Sequence, residues 1–153
     1  IRSKYRIPNG LAWNPDNSVM YHTDTRTNVV RSYKFDLASG ECMVEREFYL
    51  FDRDKTGGVD GAAMDIKGGY WAALYGGRKL IRVSPDGNLD AEILLPVSQP
   101  TMPVFGGPDL KTMFITSAYQ NLDNGDFMSQ PFAGGLIAIS VNVQGHHVYT
   151  LRG

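Results

Sequence analysis

The stretch NGLAWNPDNSVMYHTD, residues 9–24, decides the fold. A short run at 9–13 meets a turn at Asn14-Pro15-Asp16-Asn17, and a second run follows at 19–24. Asn, Pro and Asp between two short β-prone runs are hairpin punctuation. The pattern recurs as DGAAMDIKGGYWAAL at 60–74 and as TMPVFGGPDLKTMFITS at 101–117. A third run follows each hairpin, at 29–36, 79–85 and 135–140, and a fourth closes each unit, at 42–51, 89–95 and 146–151. Four strands repeated every forty to fifty residues or so are the signature of a propeller blade. The expected fold class is all-β: one domain over 1–153, with three four-stranded blades at about 9–51, 60–95 and 101–151.

Composition agrees. The 153 residues are 42% hydrophobic and 20% charged, enough for one domain with a core. Seventeen glycines argue against long helices. A net charge of −1 gives no electrostatic basis for binding nucleic acid or acidic membranes. No apolar run is long enough to span a bilayer, and none reads as a signal peptide. The expected setting is soluble and cytoplasmic. Cys42, the single cysteine, permits no intrachain disulfide and reads as a strand residue, because a catalytic thiol needs a base and an electropositive setting. The chain begins at Ile1 without a methionine and reaches Pro8-Asn9-Gly10 almost at once, so a cut through a longer protein is expected.

Within the repeat, Gly10 and Gly61 start the innermost strands, where small residues allow backbones to approach. Trp13, Met64 and Phe105 share one repeat position and are expected to pack between blades. The third unit carries an insertion at 118–133, rich in Asn, Asp and Gly; it reads either as a lid or rim over the channel or as a surface loop.

Asn9, Asp60 and Thr101 are the repeat-equivalent residues at the entry to each inner strand. In a propeller those positions ring one end of the central channel. An amide oxygen and a carboxylate aimed at one axis can hold a hard cation such as Ca²⁺ or Mg²⁺, or Zn²⁺ on oxygen ligands. Asx-Gly is also a common turn pair, and spacing alone leaves both readings open.

Collinear motifs extend over essentially the whole chain. Ile7 to Trp13 followed by Tyr21-His22-Thr23-Asp24-Thr25 resembles a P-N-G-L-x-W…Y-x-x-D-S/T stretch. Asp60-Gly61 with Asp65, then Gly69-Tyr70-Trp71-Ala72-Ala73, resembles D-G-x-x-x-D…G-x-x-W-V/A-A. Gly76-Gly77-Arg78, Leu95-Pro96, Pro100-Thr101, Phe105-Gly106-Gly107 and Gln130-Pro131-Phe132-Ala133-Gly134-Gly135 continue the match. Together they resemble the C-terminal half of the senescence-marker-protein/gluconolactonase (regucalcin) family. The resemblance implies a six-bladed propeller and a metal-dependent hydrolase of a small sugar lactone. It implies one divalent ion, Ca²⁺ or Zn²⁺ first and Mg²⁺ or Mn²⁺ next. Asn9 and Asp60 match two of the family's three ligand positions, and Asp60 also matches its general base. The third ligand, a Glu, and the substrate-contacting residues belong to the half not represented.

Glu41, Glu45, Glu47 and Glu92 fall in fourth-strand regions, away from the axis. Asp24 reads as a turn cap or a support for the site. Thr116 and Ser117 lack a nearby His-Asp pair, and His146-His147 would point to opposite faces of a strand. His22 reads as packed or at the rim. Three blades cannot close a ring, so the expected partners are a small lactone and either the missing N-terminal half or a second copy. The rival functions are a non-enzymatic calcium-binding or regulatory propeller and a related propeller esterase or phosphotriesterase.

Overall fold

The computed structural model describes residues 4–147. Three antiparallel sheets stand side by side in chain order. The first is β1 (Pro8–Trp13), β2 (Val19–Asp24), β3 (Val29–Phe35) and β4 (Cys42–Leu50). A short helix, α1 (Arg53–Thr56), leads to the second: β5 (Gly58–Met64), β6 (Tyr70–Tyr75), β7 (Lys79–Val83) and β8 (Leu89–Leu94). The third holds β9 (Pro100–Gly106), β10 (Thr112–Ser117) and, after helix α2 (Asn124–Ser129), β11 (Leu136–Ser140). Neighbouring strands pair in sequence order, as hairpin-connected meanders do.

The third sheet departs from the repeat. A fourth strand was expected at 146–151, of which 148–151 lie outside the described residues. The described part does not pair with β11. Gly145 instead bridges Asp65 at the end of β5, with the Ile66 N–H donating to Gln144 O (3.0 Å) and the His146 N–H to Met64 O (2.9 Å). The imidazole Nε2 of His146 then donates to Pro15 O in the first sheet (3.1 Å). The chain thus runs as a strap under all three sheets, because backbone groups left open at the end of β5 accept it.

Two apolar layers join the sheets. Ala12, Tyr21 and Val30 of the first meet Val59, Met64, Tyr70 and Ile81 of the second. Trp71, Ala73 and Leu80 of the second meet Phe105, Met113 and Ile115 of the third. Tyr21 packs on Tyr70 with ring centroids 5.5 Å apart, and Trp71 meets Phe105 edge-on at 6.2 Å. Met64 and Phe105 therefore fill inter-sheet positions as expected, while Trp13 packs edge-on against Phe35 of its own sheet. The close approach expected at the two glycines is present. A Cβ on Gly10 would collide with the Tyr70 hydroxyl, and one on Gly61 would stand 2.7 Å from Thr101 O.

Asp65 closes the turn between β5 and β6 as the centre of a buried network. It is fully buried and accepts from the backbone N–H groups of Lys67 and Gly69 (2.9 Å each) and from Trp71 Nε1 (2.8 Å). Arg82 donates to it twice, through Nε (2.7 Å) and Nη2 (3.2 Å), and also pairs with Asp90. The second acidic residue of the D-G-x-x-x-D stretch is therefore structural.

Candidate active site

The register of the three inner strands contains a feature that no single-strand pattern shows. Each inner strand carries a β-bulge close to the same repeat position. Residues 10 and 11 face one residue of β2, 60 and 61 face one of β6, and 101 and 102 face one of β10. A bulge adds a residue to one strand and re-aims its side chains, and bulges gather beside active sites. The bulges stand at, or one residue beyond, Asn9, Asp60 and Thr101. A Cβ on Gly10 would stand 3.5 Å from Asp60 O, in the same relation that Gly61 bears to Thr101 O. The three residues are thus brought to one level on adjacent strands.

Asn9 is half-buried and held by its amide nitrogen, which donates to Thr25 Oγ1 (2.9 Å). Thr25 in turn donates to Val59 O, the residue before Asp60 (2.6 Å). This hydroxyl joins the two candidate residues across the sheet boundary. Sequence reasoning passed over Thr25, although it ends the Y-x-x-D-S/T stretch. With the nitrogen committed, Asn9 Oδ1 is the atom left to accept. The Asp60 side chain, half-buried, receives no hydrogen bond or ion pair among the described residues, and burial pushes its carboxyl above the usual aspartate value. Asn9 and Gly61 line a cavity of about 310 Å³ with His22 and Met102. A hollow of about 810 Å³ lies on the face of the first sheet turned away from the second, around Met20, Tyr33 and Met43. It shares His22 with the smaller cavity, and Asp60 and Thr101 line neither, so the strand geometry and not a cavity marks the site.

Asp24 supports the site from below. Only 4% exposed, it accepts from the backbone N–H groups of Arg6 (3.0 Å), Ile7 (3.1 Å) and Arg26 (3.0 Å). It thereby fixes the strand entry leading to Asn9, a capping role that agrees with the sequence reading. Burial opposes its charge, but the three backbone donors outweigh it and hold the carboxyl below the ordinary 3.8. The folded-state value lies below the unfolded one, so the stabilisation is present above about 4 and is lost as pH falls through the folded value. Asp24→Asn is expected to cost about 1–3 kcal/mol at pH 7. The gap to wild type should close in acid, as read by urea denaturation across pH.

His22 lies at the cavity rim against the Tyr5 ring (centroids 4.5 Å apart); burial lowers its pKa, and the nearby Asp24 partly offsets this. Glu45, Glu47 and Glu92 lie on the outer strands β4 and β8, and Glu41 just precedes β4, as expected. Among the described residues, no three His, Cys, Asp or Glu side chains cluster as a metal site, and no helix is long and apolar enough to cross a membrane. The insertion occupies 118–135, two residues longer than expected, and includes α2. It leaves β10 at the end of the sheet where β9 begins, and so stands on the same side as Thr101.

Comparison with known proteins gives this geometry a context. Residues 1–119 match the model of the SMP-30/gluconolactonase/LRE-like region. A 6-deoxy-6-sulfogluconolactonase from Pseudomonas putida is 40% identical over 139 residues, covering 91% of this chain and 47% of that protein. Regucalcin from Bos taurus is 33% identical, over 96% of this chain and 50% of that one. The crystal structure of regucalcin, a calcium-binding protein from Agrobacterium tumefaciens, superposes with a TM-score of 0.87 at 30% identity, covering 96% of this chain and 50% of that one. The chain therefore spans about half the length of the relatives it matches. The chain belongs to the SMP-30/gluconolactonase/LRE-like family.

Proposed function

We propose that the complete protein hydrolyses a small sugar lactone at a divalent-metal site to which Asn9 and Asp60 contribute, with Asp60 as general base. The observation that carries the reading is the Asp60 carboxylate, half-buried with no donor among the described residues, beside an asparagine whose amide oxygen is left to accept. A desolvated anion is costly unless a cation compensates it. Two hard oxygen donors fit Ca²⁺ or Mg²⁺, and tolerate Zn²⁺ or Mn²⁺. Further ligands would come from outside residues 1–153. The lactonase names of relatives supply the substrate class.

A bound divalent ion would polarise the lactone carbonyl. Asp60 accepts a proton from the attacking water, whose oxygen bonds to the carbonyl carbon. The ring C–O bond then breaks, and Asp60 returns the proton to the leaving alkoxide, giving an open-chain hydroxy acid. Asn9, fixed by Thr25, keeps the donor atoms in place without titrating.

The test is a lactone panel assayed on metal-stripped complete protein with Ca²⁺, Zn²⁺, Mn²⁺ and Mg²⁺ added singly. Turnover restored by at least one ion is expected. Silence on every lactone together with tight calcium binding would replace hydrolysis by a calcium-binding role, which the calcium-binding Agrobacterium regucalcin makes the natural rival.

A further inference from the structure

We infer that Thr101, oriented by Thr116, donates a hydrogen bond to a hydroxyl of the substrate and thereby selects polyhydroxylated lactones over bare ones. The inference rests on the lactonase reading but concerns a residue that reading leaves unused. Three repeat-equivalent residues stand at one level, Asn9 just before a bulge and Asp60 and Thr101 within theirs: an amide, a carboxylate and a hydroxyl. The first two suit a cation; the third suits a neutral polar group.

The local bonding allows the Thr101 proton to be offered to a ligand. Thr101 Oγ1 and Thr116 Oγ1 lie 2.7 Å apart. Thr116 Oγ1 also accepts the Met102 N–H at 3.2 Å, which pins the bulge. Among the described residues the single Thr116 proton has two acceptors, Thr101 Oγ1 at 2.7 Å and Met102 O at 3.5 Å. The 2.7 Å bond forms whichever hydroxyl donates, and the contact of Thr116 with Met102 O is at the long limit, so a ligand acceptor at Thr101 selects the arrangement in which Thr116 donates. With that proton donated to Thr101, the Thr101 O–H has no further acceptor among the described residues and can be donated to a ligand. Thr101 is part-buried and Thr116 exposed, so the pair is open to a ligand from solvent. Asp60, one inner strand away, is the proposed reaction centre. The neighbouring Met102 approaches Gly61 with its sulfur, adding an apolar side chain between the second and third inner strands. A polar contact of this kind discriminates against an analogue lacking the hydroxyl, because the protein donor is then left unpaired.

The test compares D-glucono-1,5-lactone with δ-valerolactone, which has the same ring without hydroxyls, in the complete metal-loaded protein. Thr101→Val is expected to lower the ratio of kcat/KM values, gluconolactone over valerolactone, about tenfold, the size of one hydrogen bond. Thr101→Ser should restore it. Thr116→Val should lower the same ratio, with Thr116→Ser restoring it, as befits a positioning residue. Affinity for D-gluconate, measured by calorimetry, is the readout that needs no turnover, and should weaken about tenfold in Thr101→Val. A ratio within about twofold of wild type, or an equal loss on both lactones, overturns the inference. If neither lactone is turned over but gluconate binding still depends on Thr101, the subsite stands and the hydrolase reading falls. If Asp60→Asn is inactive while Thr101→Val keeps both the ratio and the gluconate affinity, the reverse holds.

Discussion

Asp60→Asn in the complete protein is expected to lower kcat for a sugar lactone by about 10²- to 10⁴-fold, the usual contribution of a general base. Metal affinity should fall with it, because a neutral amide replaces the charged donor among Asn9, Asp60 and Thr101. The substitution is nearly isosteric, so the bulge at residues 60 and 61 and the close approach of Gly61 to Thr101 should persist. Stability supplies an independent check with an opposite sign. Burial raises the folded-state pKa of Asp60 above its unfolded value. Metal-free wild type is therefore favoured below the unfolded value and loses stability as pH rises through the folded value. At neutral pH the metal-free Asn variant should be the more stable of the two, and added metal should reverse the order. Unchanged turnover in Asp60→Asn would remove the assignment of this residue. Such a trade of stability for function is common where a site holds an uncompensated charge.

Asp65→Ala is expected to give the largest loss of stability, about 3–5 kcal/mol, the cost of breaking a buried ion pair by removing one partner. The substitution leaves Arg82, only 8% exposed, with Asp90 alone, and removes the acceptor of the Lys67 and Gly69 N–H groups and the Trp71 indole. Combining it with Arg82→Met should cost less than the sum of the single changes, because no buried charge then remains unpaired. Asp65 lies five residues beyond Asp60, just past the far end of β5, at most roughly 16 Å away at strand rise. Metal affinity measured on folded Asp65→Ala should therefore equal wild type, unlike that of Asp60→Asn. A loss of metal affinity without a loss of stability would contradict the structural role.

Strand positions were legible because each repeat unit writes its own hairpin. The turn at 14–17 and the Lys67-Gly68-Gly69 turn delimit β1, β2, β5 and β6 to within two residues. Long-range pairing was less legible. The alternation at 146–151 reads as a strand, yet residues 144–146 bind open backbone groups at 64–66, which a local pattern cannot specify. The site was half legible. Repeat alignment singled out Asn9, Asp60 and Thr101, but not the bulges, since two residues facing one leave no mark in either strand alone. Thr25 was hidden for a similar reason: its hydroxyl reaches residue 59, 34 positions away, and short-range reading assigns it to a turn. The resemblance supplied the D-G-x-x-x-D pattern, and the structure divides its carboxylates between a candidate reaction centre and a buried scaffold.

The strap at 144–146 also bears on how the molecule unfolds. In a linear array of repeats each unit touches only its neighbours, so unfolding can start at one end and stop part-way. Here His146 bonds Pro15, 131 residues earlier, and joins the first unit to the end of the third. Together with the Asp65 bridge it turns a row of nearest-neighbour contacts into a circuit. Separating the first sheet from the third breaks that circuit, and residues 4–147 are expected to unfold in a more all-or-none way than three serial sheets would.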